Sequence, residues 1–129
     1  MVLVTQNIDG LLQKAGAVEV LEMHGSLWTL RCQDDDGHPR VGVYGAQSPD
    51  SRCSACGAPM RPDVVWFGEM PRLMDRIFGA LESAHVFVSV GTSGVVYPAA
   101  GFVQVARAAG AHCIEVNPRP SGGAFDEVV

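Results

Sequence analysis

Thr5-Gln6-Asn7-Ile8-Asp9-Gly10 follows directly on the aliphatic run Val2-Leu3-Val4. Aliphatics without polar alternation read as a strand buried on both faces, and an open α/β sheet binds its ligands where such a strand gives way to polar residues and glycine. Asp9 then caps a short helix with Leu11, Leu12 and Ala15 at helical spacing and Gly16 as its stop. From Val18 to Met23, Val18, Val20 and Met23 alternate with Glu19 and Glu22, the pattern of a half-exposed strand that delivers His24 and Gly25. Leu27 to Arg31 reads as a further strand.

The same grammar recurs downstream. Regular structure is expected over Val64 to Glu69, and Met70-Pro71 then introduces a helix with Leu73, Met74, Ile77, Phe78 and Leu81 on one face. His85 to Val90 reads as a fully buried strand ending in Gly91-Thr92-Ser93-Gly94, a turn whose N–H groups and hydroxyls can face a ligand. Pro98 starts a helix that runs to Ala109, and the buried strand Cys113 to Val116 ends in Asn117-Pro118. The tail around Ser121-Gly122-Gly123 is turn-like. Strands alternating with helices predict an α/β fold with a parallel sheet, and right-handed crossovers bring the polar strand ends to one edge.

Composition bounds the function. The chain has 129 residues, 47% of them hydrophobic and 18% charged, which suits one globular domain with a sizeable core. A net charge of -5 with nine dispersed Lys and Arg gives no basic stripe for direct nucleic-acid binding. No apolar run approaches the roughly 18 residues of a spanning helix, and no basic segment precedes an apolar one at Met1, so a cytoplasmic location away from membranes is expected. Oligomeric state is not encoded in any feature of the sequence.

Residues 32–62 differ in texture: Asp34-Asp35-Asp36-Gly37, several prolines and glycines, and little periodicity apart from Val41, Val43 and Tyr44. Cys53-Ser54-Ala55-Cys56 has the knuckle spacing of a structural zinc site, and Cys32 is available as a third ligand. Position 35, where a second knuckle would place its cysteine, is aspartate. The fourth ligand is open among Asp34, Asp35, Asp36, His38 and water, while Cys113 belongs to a buried strand. His38, in a loop, and His85 and His112, at strand entries, otherwise read as structural. His24 can serve as a general base near neutral pH, and Gly25 beside it permits close approach by backbone or substrate. Asn7 and Asp9 can hydrogen-bond an amide or ribose, although Asp9 also suits helix capping. Trp66 and Phe67 suit either a core or the wall of a tunnel.

Taken in order, Val4-Thr5-Gln6-Asn7-Ile8-Asp9-Gly10-Leu11, His24-Gly25, the Cys-x-x-Cys, Arg61-Pro62-Asp63-Val64-Val65-Trp66-Phe67-Gly68-Glu69, Gly91-Thr92-Ser93, Val96-Tyr97-Pro98-Ala99-Ala100 and Glu115-Val116-Asn117 resemble the sirtuin family over nearly the whole chain. The resemblance implies a partial Rossmann-like NAD-binding domain from residues 1–27 and 65–129, with a small zinc-ribbon-like insert at 28–64. It implies transfer of an acyl group from acyl-lysine to the ADP-ribose of NAD with release of nicotinamide. The Val-Val-Trp-Phe-Gly-Glu-Met-Pro and Val-Tyr-Pro-Ala-Ala segments resemble the class that removes succinyl as well as acetyl groups.

By that resemblance, Gln6, Asn7, Ile8 and Asp9 line the nicotinamide and ribose end of the cofactor, and His24 is the general base. Val65, Trp66, Phe67, Gly68 and Glu69 form the acyl-lysine tunnel and pair with the substrate peptide. Gly91, Thr92 and Ser93 meet phosphates and ribose, and Asn117 reaches the adenosine ribose. Cys32, Cys53 and Cys56 correspond to zinc ligands. The family also carries a Gly-Ala-Gly-x-Ser turn on an earlier strand, and further strand and helix at its C-terminal end, that this sequence does not show. The resemblance therefore implies a fragment with little deacylase activity alone, or alternatively a non-catalytic module that binds peptide.

Overall fold

The aliphatic runs form strands, each covered on fewer faces than the sequence suggests. The computed structural model describes residues 1–129, which fall into two compact units, Met1–Leu73 and Met74–Val129.

In the first unit, strand β1 (Leu3–Thr5) and strand β2 (Val20–Glu22) pair in parallel, Leu3 opposite Val20 and Thr5 opposite Glu22. Between them lies a single helical turn, α1 (Leu11–Lys14), entered through Gly10 at φ +70°. Leu21 and Met23 are buried, whereas Val2, Val4 and Val18 are exposed. Burial of β1 on both faces is thus not realised: Leu3 and Thr5 are half-buried, and Val4, on the opposite face, is exposed. The inward face of β2 starts at Leu21, with Val18 outside the strand.

Strand β3 (Gly25–Cys32) is the centre of an antiparallel sheet, between β4 (Val41–Gly42) and β5 (Met60–Val64). Cys32 lies opposite Met60 and Arg31 opposite Arg61, with a register irregularity between Ser26 and Leu30. Strand β5 stops at Val64, so the regular structure expected over 64–69 is a loop: Glu69 donates its backbone N–H to the Trp66 carbonyl at 2.9 Å, and Gly68 takes φ +91°.

The second unit is a parallel sheet of order β6 (Val86–Val90), β7 (His112–Val116) and β8 (Glu127–Val128). Helix α2 (Met74–Glu82) leads into β6, and helix α3 (Phe102–Ala108), preceded by a 3-10 turn at Ala99–Gly101, carries the crossover from β6 to β7. Leu73, at φ 58°, lies outside the helix expected to include it. Ile77, Leu81, Phe102, Val103, Ala106 and Cys113 form the core, with Phe78 edge-on to Phe102 at 6.1 Å. Burial of each large side chain of this kind stabilises a fold by roughly 1.5–3 kcal/mol.

Val86, Val88 and Val90 on β6 are exposed, because helix packing covers the face that carries Phe87 and Ser89. Strand β8 lies beyond the turn-like Ser121-Gly122-Gly123, where the sequence reading places no element. It is tied on by Val129, whose N–H donates to the Glu115 carbonyl at 2.8 Å and whose carbonyl accepts from Asn117 at 3.0 Å. The architecture is α/β, with parallel sheets and one small antiparallel module. No helix is long and apolar enough to cross a membrane.

Candidate functional site

His24 follows β2 and is held at both its ring and its backbone. Its Nδ1 lies 3.0 Å from the carbonyl oxygen of Gln6, and its own carbonyl accepts the N–H of Val65 at 2.9 Å. A carbonyl only accepts, so Nδ1 carries the proton and the lone pair of a neutral ring sits on Nε2. Such a ring can take a proton at Nε2 without changing its anchor. Gly25 is required for a different reason: at φ +77°, a Cβ there would lie 1.9 Å from the Asp63 carbonyl oxygen. The close approach that Gly25 allows is by strand β5.

The segment that leads to His24's partner is fixed by backbone contacts. The Asn7 N–H donates to Thr5 Oγ1 at 3.1 Å, the Ile8 carbonyl accepts Leu27 N–H at 2.9 Å, and the Asp9 carbonyl accepts Trp28 Nε1 at 2.7 Å. Asp9 Oδ1 accepts the Leu11 N–H at 3.0 Å, so its side chain supports the turn into α1. Asn7 is exposed and Gln6, Ile8 and Asp9 are half-buried. Trp66 and Phe67 are exposed, which removes the core reading for both.

In the second unit, the ends of β6 and β7 meet around a cleft of about 470 Å³ lined by residues 91–93 and 117–121. Asn117 Nδ2 donates to the Thr92 carbonyl at 2.7 Å, and Thr92 Oγ1 lies 3.1 Å from Ser89 Oγ. Glu115, a buried carboxylate in an otherwise aliphatic strand, organises this cleft. Both its oxygens lie 3.1 Å from the Ser121 backbone nitrogen, and one accepts from Asn117 Nδ2 at 3.3 Å. The Ser121 bonds, with Asn117 behind them, hold the Glu115 carboxyl below its usual range. The available signal was a lone acid within Cys113-Ile114-Glu115-Val116. Gly94, at φ +68°, is fixed by the close Cβ of Ser121, 2.7 Å from where its own would stand.

The structure brings His38, one of the candidates for the fourth ligand, to the three cysteines. Ligand atoms of Cys32, His38, Cys53 and Cys56 all lie within 4.8 Å of one another. The Cys32 and Cys56 sulfurs are 3.6 Å apart, as are Cys53 Sγ and His38 Nδ1. Tetrahedral zinc, with bonds of about 2.3 Å to sulfur and about 2.0 Å to nitrogen, spaces its ligands at roughly 3.5–3.8 Å. The donor set therefore fits zinc.

Neighbouring groups shift these ligands in both directions, and burial with the adjacent Cys32 and Cys53 raises the Cys56 thiol. His38 lowers the Cys32 thiol, while backbone N–H groups of Ala55 and Cys56 lower that of Cys53. Cys32 and Asp35 raise the His38 ring. Asp35 Oδ2 lies 3.6 Å from His38 Nε2, the carboxylate partner that commonly orients a metal-bound histidine. Cys113 is fully buried in β7 of the second unit, and burial pushes its thiol up.

The Sir2 family model matches residues 1–98. An NAD-dependent protein deacylase of Shigella flexneri is 50% identical over 129 residues, covering 97% of this chain and 46% of the relative. The chain thus spans about half the length of the curated relatives it matches. A solved Sir2 homologue in complex with NAD superposes with TM-score 0.91 at 36% identity, over 99% of this chain and 52% of the other. A Sir2 structure with a p53 peptide and NAD superposes with TM-score 0.83 at 27% identity, over 99% of this chain and 56% of the other. The chain belongs to the Sir2 family, the sirtuins.

Proposed function

We propose that this chain carries the base-bearing, acyl-lysine-binding part of an NAD-dependent protein-lysine deacylase that acts on acetyl-lysine and succinyl-lysine. The observation that carries the reading is the Nδ1 anchor of His24, which reserves Nε2 for proton transfer. NAD, held by the residues named below, would supply the ribose that accepts the acyl group and nicotinamide as the leaving group. His24 would take the proton of a ribose hydroxyl at Nε2. Gln6, Asn7, Ile8 and Asp9 bind the nicotinamide and its ribose. Gly91, Thr92 and Ser93 bind phosphate and ribose, and Asn117 the adenosine ribose.

Val65 to Glu69 receive the acyl-lysine and offer main-chain groups to the flanking peptide as an added strand. The exposed Trp66 and Phe67 support this role, since aromatic surface without a covering element is available to the aliphatic lysine stem. Cys32, His38, Cys53 and Cys56 hold zinc, whose chemistry here is structural: four protein ligands leave no open position for substrate. Thiolates assembled for metal support residence in a reducing compartment, the cytoplasm.

Calorimetry of the chain with NAD and, separately, with acetyl-lysine and succinyl-lysine peptides tests the reading. Binding of NAD and of an acylated peptide, with no binding of the unmodified lysine peptide, is the expected result. Equal binding of acylated and unmodified peptides overturns it.

A further inference from the structure

Glu69 closes the acyl-lysine loop, yet its carboxylate turns back toward the antiparallel sheet. Its Oε2 accepts the Trp66 N–H at 3.0 Å. Its Oε1 accepts from Arg31 Nη2 at 3.3 Å and from Arg61 Nη2. Arg61 reaches the same loop at two further points: Nη1 donates to the Val64 carbonyl at 3.0 Å, and the guanidinium lies 4.1 Å from the centroid of the Trp66 ring.

These contacts follow from the sheet register. Arg31 and Arg61 stand directly opposite each other on β3 and β5, and like charges in that position repel. The Glu69 carboxylate between them offsets the repulsion and anchors the loop to the pair. Arg61 is 9% exposed while the Glu69 side chain is 37% exposed, so the pair is sealed on the arginine side and open to solvent at the carboxylate. The Trp66 N–H first, and Arg61 second, hold the Glu69 carboxyl below its usual range.

We propose that Arg61 and Glu69 are positioning residues for substrate: together they clamp the main chain of residues 64–66 in the conformation that receives the acyl-lysine peptide. The inference rests on the deacylase reading of that loop. A planar guanidinium satisfies a carbonyl, a carboxylate and an aromatic face at once, whereas an ammonium cannot. The clamp contributes to peptide affinity by ordering the loop in advance, so that binding does not bear that entropy cost.

Peptide and NAD affinities measured on the wild-type chain and on Glu69→Ala, Glu69→Gln and Arg61→Lys test this, together with hydrogen exchange at the Trp66 amide. Glu69→Ala and Arg61→Lys are expected to weaken acetyl-lysine peptide binding about tenfold, with NAD affinity within about twofold of wild type. Trp66 exchange should accelerate in Glu69→Ala. Glu69→Gln keeps an acceptor for the Trp66 N–H and should restore slow exchange and part of the affinity. Unchanged peptide affinity in Glu69→Ala, or a parallel loss of NAD affinity, overturns the clamp while leaving the deacylase reading in place. A wild-type chain that does not distinguish acylated from unmodified peptide overturns the deacylase reading instead, and the substrate role of the clamp with it.

Discussion

The ring of His24 hangs from the main-chain carbonyl of Gln6, its Nδ1 3.0 Å from that oxygen. Because the acceptor is backbone, side-chain changes at position 6 leave the tautomer intact. Under the proposed function, His24→Ala in a protein that carries the whole cofactor site should reduce acyl transfer about 100-fold or more while NAD and peptide affinities stay within about twofold. Gln6→Ala should instead change NAD affinity and preserve proton transfer. Product formation and calorimetry on the same preparations separate the two effects.

One zinc per chain is expected by elemental analysis, lost together with thermal stability on treatment with a strong chelator. His38→Ala should weaken zinc affinity at least about tenfold, and His38→Cys should retain it by restoring a fourth soft ligand. Asp35→Asn, which alters the partner of His38 Nε2, should weaken it about tenfold. Competition with a chromophoric chelator measures all three.

At Gly25, an added methyl group meets the Asp63 backbone, which has no flexible end to move away. Gly25→Ala should destabilise the first unit on the order of 3 kcal/mol or more, through left-handed backbone strain and displacement of β5. Denaturant unfolding provides the number. Gly16, also left-handed but with open space at its Cβ, should be the milder site.

Glu115 ties acid stability to the cleft of the second unit. Its carboxyl is lowered in the folded state, so it contributes stability above the ordinary glutamate value of 4.5, and that contribution is lost as pH falls through the lowered value. The melting temperature of wild type should exceed that of Glu115→Gln at pH 7, and the gap should close below about pH 4.5. A gap that persists at pH 2 would assign the difference to packing instead of charge.

Much of this was legible because the governing signals are local. The aliphatic runs at 86–90 and 113–116, the helical spacing of Ile77 and Leu81, and the polar ends at Thr92 and Asn117 each report the structure that forms. What escaped depends on contacts distant in sequence. The exposure of Val86, Val88 and Val90 reflects which face a helix covers, which a strand's own residues do not state. Val65 to Glu69 has strand-like composition, but Glu69 hydrogen-bonds Trp66 and closes a loop. His38 is one of the fourth-ligand candidates that the sequence offers, and what singles it out is the turn through Asp35 that returns it to the sulfurs. Arg61 carries no local signal in its motif, and what the sequence alone does not state is its cross-strand register with Arg31.

The two tryptophans are held by different partners, and this equips the chain with two separable optical probes. Trp28 is half-buried, donates Nε1 to the Asp9 carbonyl and lies 5.2 Å beneath the Lys14 ammonium. Trp66 is 58% exposed and stacked on Arg61. A soluble collisional quencher should extinguish the emission of Trp66 preferentially, leaving a bluer residual spectrum from Trp28. Protection of the red component on adding acylated peptide would then report events at the 65–69 loop, and a shift in the residual component would report the Gln6-to-Asp9 wall, both without an attached label.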